Sequence, residues 1–186
     1  MNLYVVADAN WAIGKGNELL IRIPREQKLF MEETAGKVVV MGRKTFETVH
    51  HGLAIQGRTN IVFSRNKALQ IKGALVVHSM EELLEELKKY PSEDVNIVGG
   101  ESIYQQMLPY CKVAHVSKLD YAYAGDRFFP DLDKAPDWKL TADSDEQVYF
   151  ENFVYELTDD GGLFKAIEAA DRLESTTQSE GIGGGA

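Results

Sequence analysis

The chain has 186 residues, 44% hydrophobic and 26% charged, and a net charge of −9. That length suits one domain with a sizeable core, and the acidic balance excludes a broad surface for nucleic acid or anionic membrane, since both need clustered cations. Cys111 is the only cysteine, which excludes an intrachain disulfide and a Cys-rich metal site and fits a reducing cytoplasm.

The elements follow in chain order. "LYVVADA" (3–9) reads as a strand buried on both faces. It leads into "NWAIGKGNELL" (10–20), a glycine-rich stretch long for a strand-to-helix connection and expected to be a loop over a site. Pro24 suits the first position of a helix, with Leu29 and Phe30 at helical spacing. "KVVVMG" (37–42) is a second strand, followed by a helix that opens on Arg43 and Lys44. "NIVFS" (60–64) and "ALVVH" (74–78) are further strands. "SMEELLEELKKY" (79–90) has a Ser cap, early acids and late lysines, and is a helix. "VNIVGG" (95–100) is a strand closed by two glycines, and "ESIYQQML" (101–108) a helix stopped by Pro109. Beyond it, segments 112–120, 138–145 and 148–157 are strands with no helices between them. The pattern predicts an α/β fold: a mostly parallel central sheet of about eight strands, an antiparallel C-terminal strand, and helices on both faces. The domain is expected over 1–157. Residues 158–174 suit one short amphipathic helix and 175–186 a polar, glycine-rich tail. Residues 1–16 do not read as a signal peptide, and no stretch approaches the roughly 18 apolar residues of a membrane span.

Three strands end in glycine or a cation. Gly99-Gly100 stand between a strand and a helix, where backbone can approach a ligand closely. Arg43 and Lys44 open a helix after Gly42, although cations normally avoid that end. Ser64 and Arg65 end the third. Ligands of open α/β sheets bind at such ends, so the coincidence points to a dinucleotide with an extra phosphate, although no G-x-G-x-x-G is present. His50 and His51 have no third metal ligand nearby, and no metal site is expected.

Taken together, "ANWAIGKGNELL", "IPREQKLF", "VVMGRKTFET", "GRTNIVFSRN", "IVGGESIY" and "GDRFFPDL" resemble dihydrofolate reductase, from Met1 to about Leu157. The resemblance implies reduction of 7,8-dihydrofolate by NADPH, through hydride transfer to C6 and protonation of N5. It makes Glu26 the active-site carboxylate and Phe30 the aromatic packed on the pterin. Val5, Val6, Val98, Tyr104 and Ser117 complete the pteridine surroundings, with Thr48 and Val49 along the p-aminobenzoyl group and Arg58 on the glutamate α-carboxylate. It assigns the cofactor to Ala7, Ile13, Gly14, Leu19, Gly42, Arg43, Lys44, Thr45, Ser64 and Arg65, and to the run Val98, Gly99, Gly100, Glu101, Ser102, Ile103 and Tyr104. It further implies a cis peptide at Gly99-Gly100. One carboxylate suffices for this chemistry, because the nicotinamide carries the hydride and only N5 needs a proton.

The sequence departs from the family pattern at four places. Ile21 replaces a usual Trp, Arg22 a neutral residue or His, Ser117 a Thr and Gln56 a Pro. Two other readings stay open: a same-fold reductase of another pterin or of a ribosylaminopyrimidine, and a catalytically weakened folate- and NADPH-binding protein. The expected partners are dihydrofolate and antifolates, with no nucleic acid or membrane. The expected state is a cytoplasmic monomer whose C-terminal extension offers a route to self-association.

Overall fold

The computed structural model describes residues 1–143 and 148–152. The helix and tail expected over 158–186, and the last part of the strand expected over 148–157, lie outside the described residues. In chain order the elements are β1 (Asn2–Ala7), β2 (Ala12–Lys15), β3 (Glu18–Leu19), α1 (Pro24–Glu33), β4 (Val38–Gly42) and α2 (Arg43–Thr48). Then come β5 (Thr59–Phe63), β6 (Ala74–Val77), α3 (Met80–Leu87), β7 (Val95–Ile97), α4 (Glu101–Met107), β8 (Val113–Lys118), β9 (Arg127–Phe128), β10 (Trp138–Asp143) and β11 (Val148–Asn152).

Eight strands form one sheet in the order β10-β11-β8-β1-β7-β4-β5-β6. From β8 to β6 every pairing is parallel, while β11 runs antiparallel to both β8 and β10. Strand β4 shows why the apolar runs do not alternate. Val38 and Val40 enter the larger core cluster, and Val39 and Met41 enter the smaller one on the opposite face, because successive side chains point to opposite sides. Helices α3 and α4 feed Leu83, Leu87, Ile103 and Met107 into the first cluster, and α2 contributes Phe46 to the second. Ser79 caps α3 by accepting from the Glu82 N–H at 3.1 Å. No helix among the described residues is long and apolar enough to cross a membrane.

The stretch expected to be a loop over 10–20 is instead mostly a hairpin, β2 with β3, joined to β9 as a second small sheet. Two anchors at its root explain the order. Trp11, 3% exposed, packs against Phe129 and Phe150 and donates its indole N–H to Asp133 at 3.0 Å. The fully buried Asp8 carboxylate accepts the N–H groups of Asn10 and Ala12 on Oδ1 and of Tyr123 on Oδ2, each at 2.8 Å.

Candidate active site

Because β7, β4 and β5 are neighbours in the sheet, their C-terminal ends gather at one edge. There a cleft of about 700 Å³ opens. Gly42 donates its N–H to the Gly99 carbonyl at 2.8 Å, and the N–H groups of Ile103 and Tyr104 converge on the Gly100 carbonyl at 3.0 and 2.9 Å. The Gly99-Gly100 peptide is cis. A Cβ on Gly42 would stand 3.2 Å from Ile103 Cγ1, and one on Gly100 3.0 Å from Thr45 Oγ1. The wall is therefore bare backbone, a cradle that side chains would fill.

Gly99 has φ of 120°, a conformation L side chains rarely adopt, and a Cβ there would meet the Tyr104 ring at 3.3 Å. That ring cannot swing aside, because its hydroxyl donates to the Tyr4 carbonyl at 2.6 Å. Gly99→Ala is therefore expected to cost about 1–3 kcal/mol and to lower the melting temperature by several degrees in a thermal scan.

Of the residues expected to hold the cofactor, all but one line the cleft. Ile13, Gly14, Leu19, Gly42, Arg43, Lys44, Thr45, Ser64, Arg65 and the run Val98 to Tyr104 all line the cleft, as do Val5, Val6, Thr48 and Val49, which were expected on the substrate. Ala7 does not; it is buried with its carbonyl accepting from Leu119 N–H at 2.8 Å. Arg43 is already engaged, donating to both carboxylate oxygens of Glu47 at 3.0 and 2.8 Å. Lys44 and Arg65 add positive charge to the same wall. The cleft is also lined by Gly16, Asn17, Glu18, Phe63, Asn66, Gln106 and Arg127, which sequence reasoning missed. Phe63 and Asn66 flank Ser64-Arg65 and were within reach of it. Arg127 sits on a two-residue strand that leaves no periodic signal.

Glu26, Phe30, Arg58 and Ser117, expected on the substrate, lie outside the cleft lining. Glu26 is half-buried on α1, with the Ser117 hydroxyl donating to its Oε2, so the sequence pair separated by 91 residues is in contact. Phe30, one turn on, meets the Tyr4 ring edge-on at 5.7 Å. Arg58 lies along the end of the same helix. Its Nε donates to Thr34 Oγ1 at 3.3 Å, Nη1 to the Gln56 carbonyl at 2.7 Å, and Nη2 to the Met31 carbonyl. The buried Asn60 holds the preceding loop, accepting from Ile55 N–H and donating to the Ile55 and Arg58 carbonyls. Arg22 is exposed and its charge bears on His50, whose pKa is lowered to about 4 by burial first and Arg22 second.

The comparisons with known proteins agree on one family. A model described as dihydrofolate reductase matches residues 1–158. The dihydrofolate reductase of Bacillus subtilis is 33% identical over 155 residues, covering 80% of this chain and 89% of that one. That of Enterococcus faecium is 38% identical over 127 residues, covering 68% and 75%. Among solved structures, dihydrofolate reductase from Enterococcus faecalis complexed with NADP(H) and RAB-propyl superposes with a TM-score of 0.70 at 29% identity, covering 81% of this chain and 95% of that one.

Proposed function

The chain belongs to the dihydrofolate reductase family and is an NADPH-dependent oxidoreductase that reduces 7,8-dihydrofolate to 5,6,7,8-tetrahydrofolate, and from that premise we propose how its residues divide the work. NADPH, when bound, supplies the hydride. The cleft fits it: a backbone cradle at Gly42, Gly99 and Gly100 takes a flat group closely, and Lys44 and Arg65 offer charge to phosphates. Val5, Val6, Ile13, Leu19 and Val98 keep water from the reacting faces. Glu26 holds the pteridine and organises the proton for N5, and the observation that carries this role is its contact with Ser117. That hydroxyl fixes the carboxylate without neutralising it. Phe30 packs on the ring system, Thr48 and Val49 flank the p-aminobenzoyl group, and Arg58 takes the α-carboxylate.

Antifolates would compete for the same pterin pocket. The buried Cys111, its thiol pushed up to about 12 by burial, suits a cytoplasmic setting. We take the working unit as residues 1–157 in a monomer, with 158–186 as the segment to delete when testing self-association by size measurement.

NADPH oxidation followed with dihydrofolate tests the activity directly; tight binding of both without turnover would leave a binding protein. Arg65→Ala tests the cofactor assignment. Loss of a charge-assisted contact is worth about 1.5–3 kcal/mol, or roughly ten- to a hundredfold in the NADPH KM. The KM for NADH, which lacks the 2′-phosphate, should hardly move, and an equal rise for both would count against the role.

A further inference from the structure

Helix α1 carries both Glu26 and Phe30, yet none of its residues is fully buried. Apolar contact seats it only through partly buried side chains such as Phe30, packed against the smaller core cluster. Glu26, Phe30 and Glu33 share its inner face, four and three residues apart. Beneath that face the sheet presents Tyr4, His115 and Tyr149 side by side, paired across β1, β8 and β11. The Tyr4 and His115 rings stack at 4.3 Å, and Tyr149 meets His115 edge-on at 5.1 Å.

Glu33 places its carboxylate in this row. Its Oε2 lies 3.7 Å from His115 Nδ1, and both atoms are buried with no hydrogen-bond partner. Burial first, and the Lys37 charge second, hold the His115 pKa down near 4, so the imidazole is neutral at neutral pH and can offer Nδ1–H. Burial and then the Glu33 charge push the Tyr4 hydroxyl up, which keeps it a donor. One oxygen of this partly exposed carboxylate is buried without a partner, and an apolar residue of similar size in such a place often serves stability as well or better. None of the roles assigned above uses it.

We propose that Glu33 is a positioning residue: seated against His115 and Tyr4, its carboxylate sets the height of α1 above the sheet, and with it the places of Glu26 and Phe30 in the pterin site. An approach of under about 1 Å would bring Oε2 and Nδ1 to hydrogen-bonding distance, so a substrate that draws α1 inward also satisfies the pair. The inference rests on the functional reading above.

The test uses the full chain, with thermal melting and steady-state kinetics for both substrates. Glu33→Leu is expected to melt at or above the wild-type temperature, while the dihydrofolate KM rises about tenfold and kcat falls, since small misplacements of reacting groups carry large rate costs. The NADPH KM should stay within about twofold. Glu33→Gln keeps an acceptor for His115 and Tyr4 and should recover most of the loss. Where Glu33→Leu does not fold, His115→Phe removes Nδ1 while keeping the ring stack, and should move the dihydrofolate KM in the same direction. The proposal is overturned if either apolar variant folds with an unchanged dihydrofolate KM and kcat. It is equally overturned if both substrates' KM values rise together with a loss of stability. A wild type that does not oxidise NADPH with dihydrofolate would instead overturn the functional reading, and this inference with it.

Discussion

Glu26→Gln is expected to lower kcat at neutral pH by about 10²- to 10⁴-fold, the usual worth of a positioned proton donor. The change is conservative in shape, and a carboxamide oxygen can still accept from Ser117, whose hydroxyl now donates to Oε2. The helix should therefore stay where it is, and the loss should be chemical. A carboxamide cannot bind and release the proton that N5 needs. As the pH falls, solvent supplies that proton directly, so the variant's rate should climb in acid towards the wild-type rate. Kinetics of hydride transfer across pH 5 to 9, roughly the range over which proton supply changes, would read this out. A variant whose pH–rate profile parallels the wild type at any level of activity would remove Glu26 from the proton path.

The second large effect is at Arg58. Three of its nitrogens are each bonded to the protein, to Thr34 Oγ1, the Gln56 carbonyl and the Met31 carbonyl. A guanidinium has five N–H bonds, which leaves one on each Nη. Two N–H groups on neighbouring Nη atoms are what a bidentate carboxylate accepts from. Arg58→Ala should raise the dihydrofolate KM by roughly ten- to a hundredfold, from the loss of about 1.5–3 kcal/mol, with little change for NADPH. Arg58→Lys should not rescue it, since an ammonium cannot present two parallel bonds. A substrate analogue lacking the glutamate separates recognition from support of α1. With it, the wild type and Arg58→Ala should behave alike if the fork matters only for the carboxylate. A difference that persists would mean that Arg58 acts mainly by bracing the helix.

Much of this was legible because the chemistry follows the sheet. A β-branched run that ends in glycine or a cation marks both a buried strand and its ligand-facing end. Gly42, Ser64 and Gly99 could thus be grouped before their strands were known to be neighbours. The hairpin over 12–19 was not legible. Its strands are four and two residues long, and most of what orders them is remote: Tyr123 on the Asp8 carboxylate, Asp133 and Phe129 on Trp11, and β9. The Arg43–Glu47 ion pair sits at ordinary helical spacing, so the partner of one of the two cations at that helix start is legible in the sequence. Glu33 and His115 are 82 positions apart and carry no shared motif, so their meeting depends on the crossover that lays α1 over β1 and β8.

The thin burial of α1 has a further consequence, for local opening. Segments with few buried apolar groups unfold on their own at free energies well below that of the whole domain. Amide protons of 27–34 should accordingly exchange with solvent sooner than those of β4, whose Val38 to Met41 are all buried. Whatever binds only the closed form of the helix raises its protection by mass action. Glu26 would then stand on the least buried α-helix among the described residues, and occupancy of the pocket it serves would be part of what holds that helix folded.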